Sequence, residues 1–196
     1  MLLNKIFPYL LVFFLLSCSD NKIHQEEDFI FGTIISIKVY GEPKIKSEKV
    51  SNEIFNEFHR LHKLLHPWKK SLITDINNKI LNNESISLNN DEIISILKEA
   101  QYLEKKTQGL FNPAIGKLIE LWGFHKDDYN LDTMPNQVKI KNLLLSKPSM
   151  QSLTIKNKIL KSNNRDVQID LGGFAKGYAL DQAKKILLDN NIKNAL

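Results

Sequence analysis

The chain has 196 residues, a formal net charge of +5 at pH 7, 42% hydrophobic residues and a single cysteine. This length and hydrophobic content fit one domain with a sizeable core. The basic residues are spread among acidic ones and form no arm or stripe, which argues against a nucleic-acid-binding surface. One cysteine excludes an intrachain disulfide.

The first 17 residues have the pattern of a secretory signal peptide. One positive charge, Lys5, precedes an apolar run from Pro8 to Leu16. The run is shorter than the about 20 apolar residues of a transmembrane helix but suits the central region of a signal, and it ends in "LLSC", which resembles the bacterial lipobox. We therefore expect cleavage after residue 17, lipidation of Cys18 and an extracytoplasmic, membrane-anchored lipoprotein, on the periplasmic face in a Gram-negative cell. A plain secretion signal with an incidental cysteine is the alternative.

The mature chain opens with a polar segment and a strand. Residues 18–27 predict a flexible tether, and the alternating segment "FGTIISIKVYGE" predicts a strand with Ile35, Ile37 and Val39 on its buried face. Apolar residues at helical spacing then predict a first helix from Ser47 to Leu65. The next segment, "HPWKKSLITDINN", predicts a loop followed by a short helical turn.

The middle of the chain predicts further helices and short strands. "ESISL" and "VQIDL" are typical of strands, and "SLTIKNKILKS" predicts a hairpin that turns near Asn157. Start and stop signals predict three helices: one capped by Asn90 and closed by Gly109, a short one that opens at Asn112-Pro113, and a weaker one from Pro135 to Leu145.

The order of these elements predicts the fold class. Helices and strands are mixed without a regular alternation, which favours an α+β fold with a mixed sheet over a doubly wound parallel sheet. No internal repeat divides the sequence. We therefore predict a single domain over residues 28–196.

The segment "DLGGFAKGYALDQAKKIL" contains three of the chain's 8 glycines. The strand "VQIDL" is expected to deliver Asp170 at its end, Gly172 and Gly173 to form a sharp turn, and a helix to follow from Tyr178. A helix N-terminus presents unpaired N–H groups and partial positive charge. Together with the charge of Lys176, it predicts a phosphate-binding site.

Two features leave this interpretation open. The glycine spacing matches neither the P-loop nor the Rossmann pattern, and a tight structural turn without a ligand would use the same residues. Gly177 is expected to allow close packing or an unusual dihedral angle. Asp170 would repel a phosphate, so it is expected to hydrogen-bond a ribose, a ring nitrogen or a structural N–H group.

Four segments, taken in order, resemble the ApbE-like family of FAD:protein FMN transferases: "FGTIISIKVYG", "HKLLHPWKKSLITDINN", "TQGLFNPAIGKLIELWGF" and "IDLGGFAKGYALDQAKKIL". The resemblance covers roughly residues 28–196. It implies an ApbE-like α+β fold and an enzyme, often a periplasmic lipoprotein, that splits FAD and attaches FMN to a Ser or Thr hydroxyl of a target flavoprotein. The resemblance also implies Mg²⁺ dependence and release of AMP. The remaining alternative is a membrane-anchored lipoprotein that binds FAD without transferring FMN.

The resemblance assigns site residues position by position. Asn112 replaces the family's usual Asp, Phe31 replaces a usual Met, and Trp68 stands near an aromatic position that packs on the flavin. Gly173 matches a position whose backbone carbonyl binds Mg²⁺. The residues that are expected to contact FAD are Phe31, Trp68, Leu110, Phe111, Asn112, Asp170 and Lys176.

Other positions receive weaker assignments. The histidines at positions 59, 62, 66 and 125 are interpreted as solvent-facing, with metal ligation as the alternative. Later family motifs that supply most metal ligands do not occur in the sequence, so we expect the chain to end inside the family's fold, at the start of a strand in "KNAL". A fragment, a frameshifted product and a degenerate paralogue remain open, and no catalytic base is assigned.

Overall fold

The computed structural model describes residues 23–126 and 134–196. These residues divide into two compact units, one formed by the described residues up to Phe55 together with residues 183–196, and the other by the described residues between 56 and 182. The expected signal peptide and Cys18 lie outside the described residues. Within the described ranges, no helix combines the length and apolarity that crossing a membrane requires.

The first unit contains a two-stranded antiparallel hairpin. Strands β1 (Ile23–Ile30) and β2 (Thr33–Tyr40) pair along their whole length. The connecting residues Phe31 and Gly32 have φ angles of 55° and 73°, as a two-residue hairpin turn of the primed type requires. Ile37 and Val39 are buried, which confirms the predicted inward face of β2.

Strand β1 corrects the expectation of a flexible tether over residues 18–27. Residues 23–27 belong to β1 and pair with residues 36–40 of β2. The prediction failed because polarity was taken as a sign of flexibility, whereas backbone pairing with a neighbouring strand tolerates polar side chains on an open face. The rest of the expected tether, residues 18–22, lies outside the described residues.

The end of the chain adds to the same sheet. The N–H of Leu196 donates to the carbonyl of Lys38 over 2.8 Å, and Val39 forms an antiparallel bridge with Ala195. The expected strand at "KNAL" is thus present only as an isolated bridge beside β2, not as a full strand. Two helices contribute to both units: α1 (Lys44–Leu65) and α6 (Gly172–Asp189).

The second unit is mainly helical. Helix α2 (Leu72–Leu81) is longer than the predicted turn and begins with a capping box, in which the Ser71 side chain and the Thr74 side chain each accept the other's backbone N–H. Helix α3 (Asp91–Lys106) is capped as predicted by Asn90, whose side chain accepts the N–H of Ile93 over 3.0 Å. The helical core residues are fully buried: Leu61, Ile73, Ile76, Ile80, Ile93, Ile96 and Leu97.

A small antiparallel sheet completes the second unit. Its strand order is β3 (Ile86–Ser87), β5 (Ile159–Ser162), β4 (Leu153–Lys156). The β4–β5 hairpin turns at Asn157 and Lys158, which have φ angles of 50° and 62°. The predicted hairpin and the α+β class are both confirmed.

Helix α4 (Gly116–Leu121) corrects the predicted start at Asn112-Pro113, because its N-cap is Ile115. Ile115 instead forms a parallel bridge with Gln168. This extended pairing keeps residues 113–115 out of the helix, since one backbone cannot satisfy both patterns. Helix α5 (Gln137–Ser146), capped by Asn136, follows close to its predicted bounds.

Helix α6 corrects the predicted glycine turn. It begins at Gly172 rather than Tyr178, and Gly172, Gly173 and Gly177 do not have positive φ angles. Residues 169–171, between the bridge at Gln168 and the helix start, have no regular secondary structure. The preceding "VQIDL" segment forms a single bridge at Gln168 rather than a full strand.

Candidate functional site

The position of Asp170 is fixed from two sides. Its own N–H donates to the carbonyl of Pro113 over 2.8 Å. The preceding residue, the fully buried Ile169, donates its N–H to Asn77 Oδ1 over 2.7 Å and accepts from Asn77 Nδ2 over 2.9 Å. The side chain of Asn77 therefore makes the two backbone hydrogen bonds that a neighbouring strand would make, and it holds the backbone immediately before Asp170.

Asp170 also organises the start of helix α6. Its Oδ1 accepts the N–H of Gly172 over 2.8 Å, and the carbonyl of Leu171 accepts the N–H groups of Phe174 and Ala175 over 2.8 and 2.7 Å. A carboxylate next to the first turn is favoured by the partial positive charge of the helix N-terminus. Asp170, Leu171 and the first turn of helix α6 are thus connected by hydrogen bonds.

The carboxylate of Asp170 is substantially withdrawn from solvent. Burial raises its pKa above the ordinary value of 3.8, while the N–H of Gly172, hydrogen bonding from the Trp68 side chain and the nearby His66 oppose that shift. Two predicted site residues, Trp68 and Asp170, are therefore neighbours. A partly desolvated carboxylate can bind a hydroxyl or a ring N–H group strongly, because little water competes for it.

Trp68 lies in a turn organised by His66. The Nδ1 atom of His66 accepts the backbone N–H groups of Trp68 and Lys69 over 3.1 and 3.0 Å. The indole ring of Trp68 lies 5.1 Å, centroid to centroid, from the ring of His125. His66 and His125 are each half-buried rather than fully solvent-facing, because turn hydrogen bonds hold the ring of His66 and the ring of Trp68 packs on that of His125.

Phe111 faces the first turn of helix α6. A Cβ atom added at Gly173 would lie 3.7 Å from the Phe111 ring. The neighbouring Leu110 is 95% exposed. Both polar atoms of the Asn112 side chain form hydrogen bonds within the protein. Its Nδ2 donates to the carbonyl of Pro148 over 2.8 Å, and its Oδ1 accepts the N–H of Ala114 over 2.9 Å.

Lys176 is exposed on α6. It is three and four residues after Gly173 and Gly172, so it lies on the same helix face as both. The structure thus groups Trp68, Phe111, Asp170, Gly173 and Lys176 at the start of α6.

Four other predicted residues remain: Leu110, Asn112, Phe31 and Cys18. Leu110 and Asn112 flank Phe111 in the chain, with the contacts described above. Phe31 belongs to the first unit and is half-buried in the β1–β2 turn. Cys18 lies outside the described residues.

The described residues do not fit a magnesium ion. Within residues 23–126 and 134–196, no group of three or more His, Cys, Asp or Glu side chains is placed to hold a metal. Gly173 lies inside α6, where a carbonyl accepts the N–H four residues later, and magnesium requires a near-octahedral set of oxygen ligands. No chemical step is therefore assigned to a metal.

The second unit contains two clefts among the described residues. Their volumes are ≈ 250 and ≈ 630 Å³, and both include Lys117, Glu120 and Gln168. In the larger of the two Lys117 is ion-paired with Asp166 over 2.8 Å. Neither cleft includes a residue that the resemblance assigns to FAD, so we place the candidate site on the helix start and not in these clefts.

A model of the ApbE family matches residues 31–196. The chain belongs to the ApbE family. It is 30% identical over 176 residues to a FAD:protein FMN transferase of Rhodobacter capsulatus, which covers 88% of this chain and 32% of that relative. It is 27% identical over 206 residues to a protein of the same name from Buchnera aphidicola (subspecies Schizaphis graminum), covering 99% of this chain and 58% of that relative.

A solved member of the ApbE family has a similar fold. The ApbE protein of Thermotoga maritima matches with a TM-score of 0.74 and 29% identity, over 89% of this chain and 55% of that chain. The α+β fold is therefore that of the ApbE family. The chain spans less than two thirds of the length of these relatives.

Sequence reasoning missed three residues of the site: Asn77, His66 and Gly116. Asn77 and Ile169 are 92 positions apart, and no local pattern reports such a pairing. At Gly116 an added Cβ would lie 2.6 Å from the carbonyl oxygen of Gln168. The final glycine of "NPAIG" was the available indication of that close backbone approach.

Proposed function

We propose that this chain is part of an enzyme that transfers FMN from FAD to a Ser or Thr hydroxyl of a target flavoprotein and releases AMP. Membership of the ApbE family supports the proposal, as does the grouping of an aromatic ring, a carboxylate and a lysine around the start of helix α6. The observation that carries it concerns the glycines of this helix.

Gly173 and Gly177 have no structural need to be glycine. A Cβ at Gly177 would meet nothing within 4 Å, and one at Gly173 would make only an ordinary contact at 3.7 Å with Phe111. Glycine inside a helix costs about 0.5–1 kcal/mol relative to alanine. We attribute the presence of glycine at these positions, despite its lower helix propensity, to the close approach of a ligand to the backbone of the first helical turns.

The electrostatics of the helix start suit a dinucleotide. The partial positive charge of the helix N-terminus and the charge of Lys176 attract a pyrophosphate. Asp170 repels phosphate, so we assign it to a ribose hydroxyl or a ring N–H group. Trp68 offers a flat ring for stacking on a heterocycle such as isoalloxazine.

The transfer reaction requires no redox step. The acceptor hydroxyl oxygen bonds to the phosphorus on the FMN side of the pyrophosphate, the bond from that phosphorus to the bridging oxygen breaks, and AMP leaves with the electron pair. The hydroxyl proton passes to solvent. Lys176 and the helix N-terminus would stabilise the negative charge that develops on the phosphates.

Magnesium dependence is proposed for the whole protein only. The resemblance assigns Gly173 to the metal, but its carbonyl lies within helix α6. We therefore propose no role for magnesium that depends on the described residues.

A second candidate function is FAD binding without transfer. It is favoured by Asn112, which stands where the family usually has Asp and whose amide is engaged by Pro148 and Ala114. In this candidate the same helix start holds FAD, and no AMP is released.

One experiment separates the two candidates. The whole gene product is incubated with FAD, Mg²⁺ and a flavin-acceptor protein, and the acceptor is examined by mass spectrometry for an FMN adduct while AMP is quantified. Transfer predicts both the adduct and an equal amount of AMP. Saturable FAD binding without either product supports the binding candidate, and folded protein that neither binds nor transfers contradicts both.

We also propose that the protein is anchored in a membrane through a lipid on Cys18. The "LLSC" sequence supports this localisation. Metabolic labelling with a fatty acid should label the protein and place it in the membrane fraction, and Cys18→Ser should abolish the labelling. Labelling that survives Cys18→Ser would contradict the anchor.

A further inference from the structure

The turn that carries Trp68 depends on the protonation state of one ring. His66 Nδ1 accepts two backbone N–H groups, those of Trp68 and Lys69, over 3.1 and 3.0 Å. An imidazole nitrogen that accepts hydrogen bonds carries no proton, so the neutral ring has its hydrogen on Nε2. In the protonated ring, Nδ1 carries a hydrogen and cannot accept a hydrogen bond. The backbone N–H groups of Trp68 and Lys69 would then face the N–H group of the ring.

The groups around His66 shift its pKa in opposite directions. The ring of His62 on helix α1 lies edge-on at 5.1 Å, and Lys69 lies in the same turn as His66. Burial lowers the pKa of His66, His62 and Lys69 lower it further, and Asp170 partly opposes them. The lowered pKa favours the uncharged ring, which is the state that the turn requires.

Trp68 links this turn to the proposed flavin site. Hydrogen bonding from its side chain lowers the pKa of Asp170, and its ring packs at 5.1 Å from the ring of His125. A displacement of the backbone over residues 66–69 would move this ring relative to Asp170. The geometry therefore couples the hydrogen-bonding state of His66 to the placement of the indole.

We propose that neutral His66 is a positioning residue for flavin binding, which holds Trp68 beside Asp170 through the two hydrogen bonds to Nδ1. The proposal rests on the proposed function, because it names what presents the aromatic ring to FAD. Protonation of His66 breaks both hydrogen bonds and releases the turn. FAD affinity should then fall as the pH drops through the pKa of His66.

The first experiment compares FAD affinity across pH in three variants by fluorescence titration. His66→Asn places an amide oxygen close to the position of Nδ1, so this variant should bind FAD at neutral pH as the original chain does. Because the amide does not titrate, the variant should also lose the part of the decrease in FAD affinity at acidic pH that His66 causes. His66→Ala should bind FAD about tenfold more weakly at neutral pH. His62→Asn, the control, should keep the acid decline because His66 is intact, and the decline should move to higher pH because His62 no longer lowers the pKa of His66.

The second experiment does not need FAD. In a Trp122→Phe background, the emission of Trp68 is followed across pH in the chain without ligand. Asp170 and His125 also face Trp68, so the His66 contribution is the difference between this protein and the same protein with His66→Asn. A transition below the ordinary histidine value of 6.5 is expected in that difference.

The two experiments separate the failure of the inference from the failure of the proposed function. A Trp68 transition that depends on His66, in a protein that does not bind FAD, supports the positioning role of His66 and contradicts flavin binding. FAD binding and Trp68 emission whose pH profiles are unchanged by His66→Asn overturn the inference and leave flavin binding intact. Equal affinity of His66→Ala and the original protein would overturn it as well.

Discussion

Asn77 and Ile169 are joined by a reciprocal pair of hydrogen bonds of 2.7 and 2.9 Å, in which one side chain satisfies both the N–H and the carbonyl of a buried residue. This pair fixes the backbone one residue before Asp170. It makes helix α2 a support for the start of helix α6, although no site residue assigned from the sequence lies on α2.

The first prediction tests this support. Asn77→Asp keeps the shape of the side chain and the acceptor for the Ile169 N–H, but it places a second oxygen against the Ile169 carbonyl. The free energy of unfolding should fall by about 1–3 kcal/mol, as measured by urea denaturation, and FAD affinity should fall with it. Asn78→Asp on the exposed side of the same helix is the matched control. Equal stability of the two variants would refute the role of Asn77.

The second prediction concerns Gly116. A Cβ at this position would lie 2.6 Å from the carbonyl oxygen of Gln168, which already accepts the Gly116 N–H over 2.8 Å. Gly116→Ala should therefore push apart the segments that hold Asp170 and cost about 1–3 kcal/mol of unfolding free energy or more. Thermal denaturation measures the effect, and a variant as stable as the original chain would show that the close approach is not needed.

The third prediction concerns Gly177, where the fold leaves room for a side chain. Gly177→Ala should raise the free energy of unfolding by about 0.5–1 kcal/mol, because alanine is the better helix former and nothing lies within 4 Å of its Cβ. If a ligand approaches this face, the same substitution should weaken FAD binding while it stabilises the protein. A variant that gains stability and binds FAD unchanged would remove Gly177 from the site.

The fourth prediction uses the raised pKa of Asp170. Because its folded pKa lies above the unfolded value of 3.8, ionisation is harder in the folded state than in the unfolded state. The stability linked to the protonated form is fully present below 3.8 and is lost as pH rises through the folded pKa. Ionisation of Asp170 therefore lowers the free energy of unfolding.

Asp170→Asn should remove this dependence. Its amide oxygen can still accept the Gly172 N–H, so the variant should gain stability relative to the original chain as pH rises through that interval, while its FAD affinity decreases. Urea denaturation at a series of pH values measures the difference. Parallel stability curves for the two proteins would contradict the assigned pKa direction.

Local patterns in the sequence predicted those elements whose cause is local. The Asn90 cap depends on an N–H three residues away, and the β4–β5 hairpin depends on turn residues at Asn157 and Lys158 that adopt positive φ. Both were predictable because the interacting groups are neighbours in the chain. The buried face of β2 was predictable for the same reason, since alternation is a property of one strand.

The errors arose where distant segments decide the structure. Helix α4 starts late because Ile115 pairs with Gln168, and residues 23–27 form a strand because β2 lies beside them. The glycines of "DLGGFAKG" suggested a turn because their common use is positive φ, but here they continue a helix. The resemblance placed Trp68 and Asp170 in one site, yet it gave no sign that His66 and Asn77 hold them there.

The most direct test of the account is a fluorescence titration of the folded chain with FAD, run in parallel on Lys176→Ala and on Lys184→Ala, an exposed lysine further along the same helix. We expect saturable binding by the original chain and by Lys184→Ala, with clearly weaker binding by Lys176→Ala because the pyrophosphate loses its cation. Correctly folded protein that leaves FAD fluorescence unchanged up to millimolar concentrations, or that binds FAD equally well without Lys176, would contradict a flavin dinucleotide site at the start of helix α6.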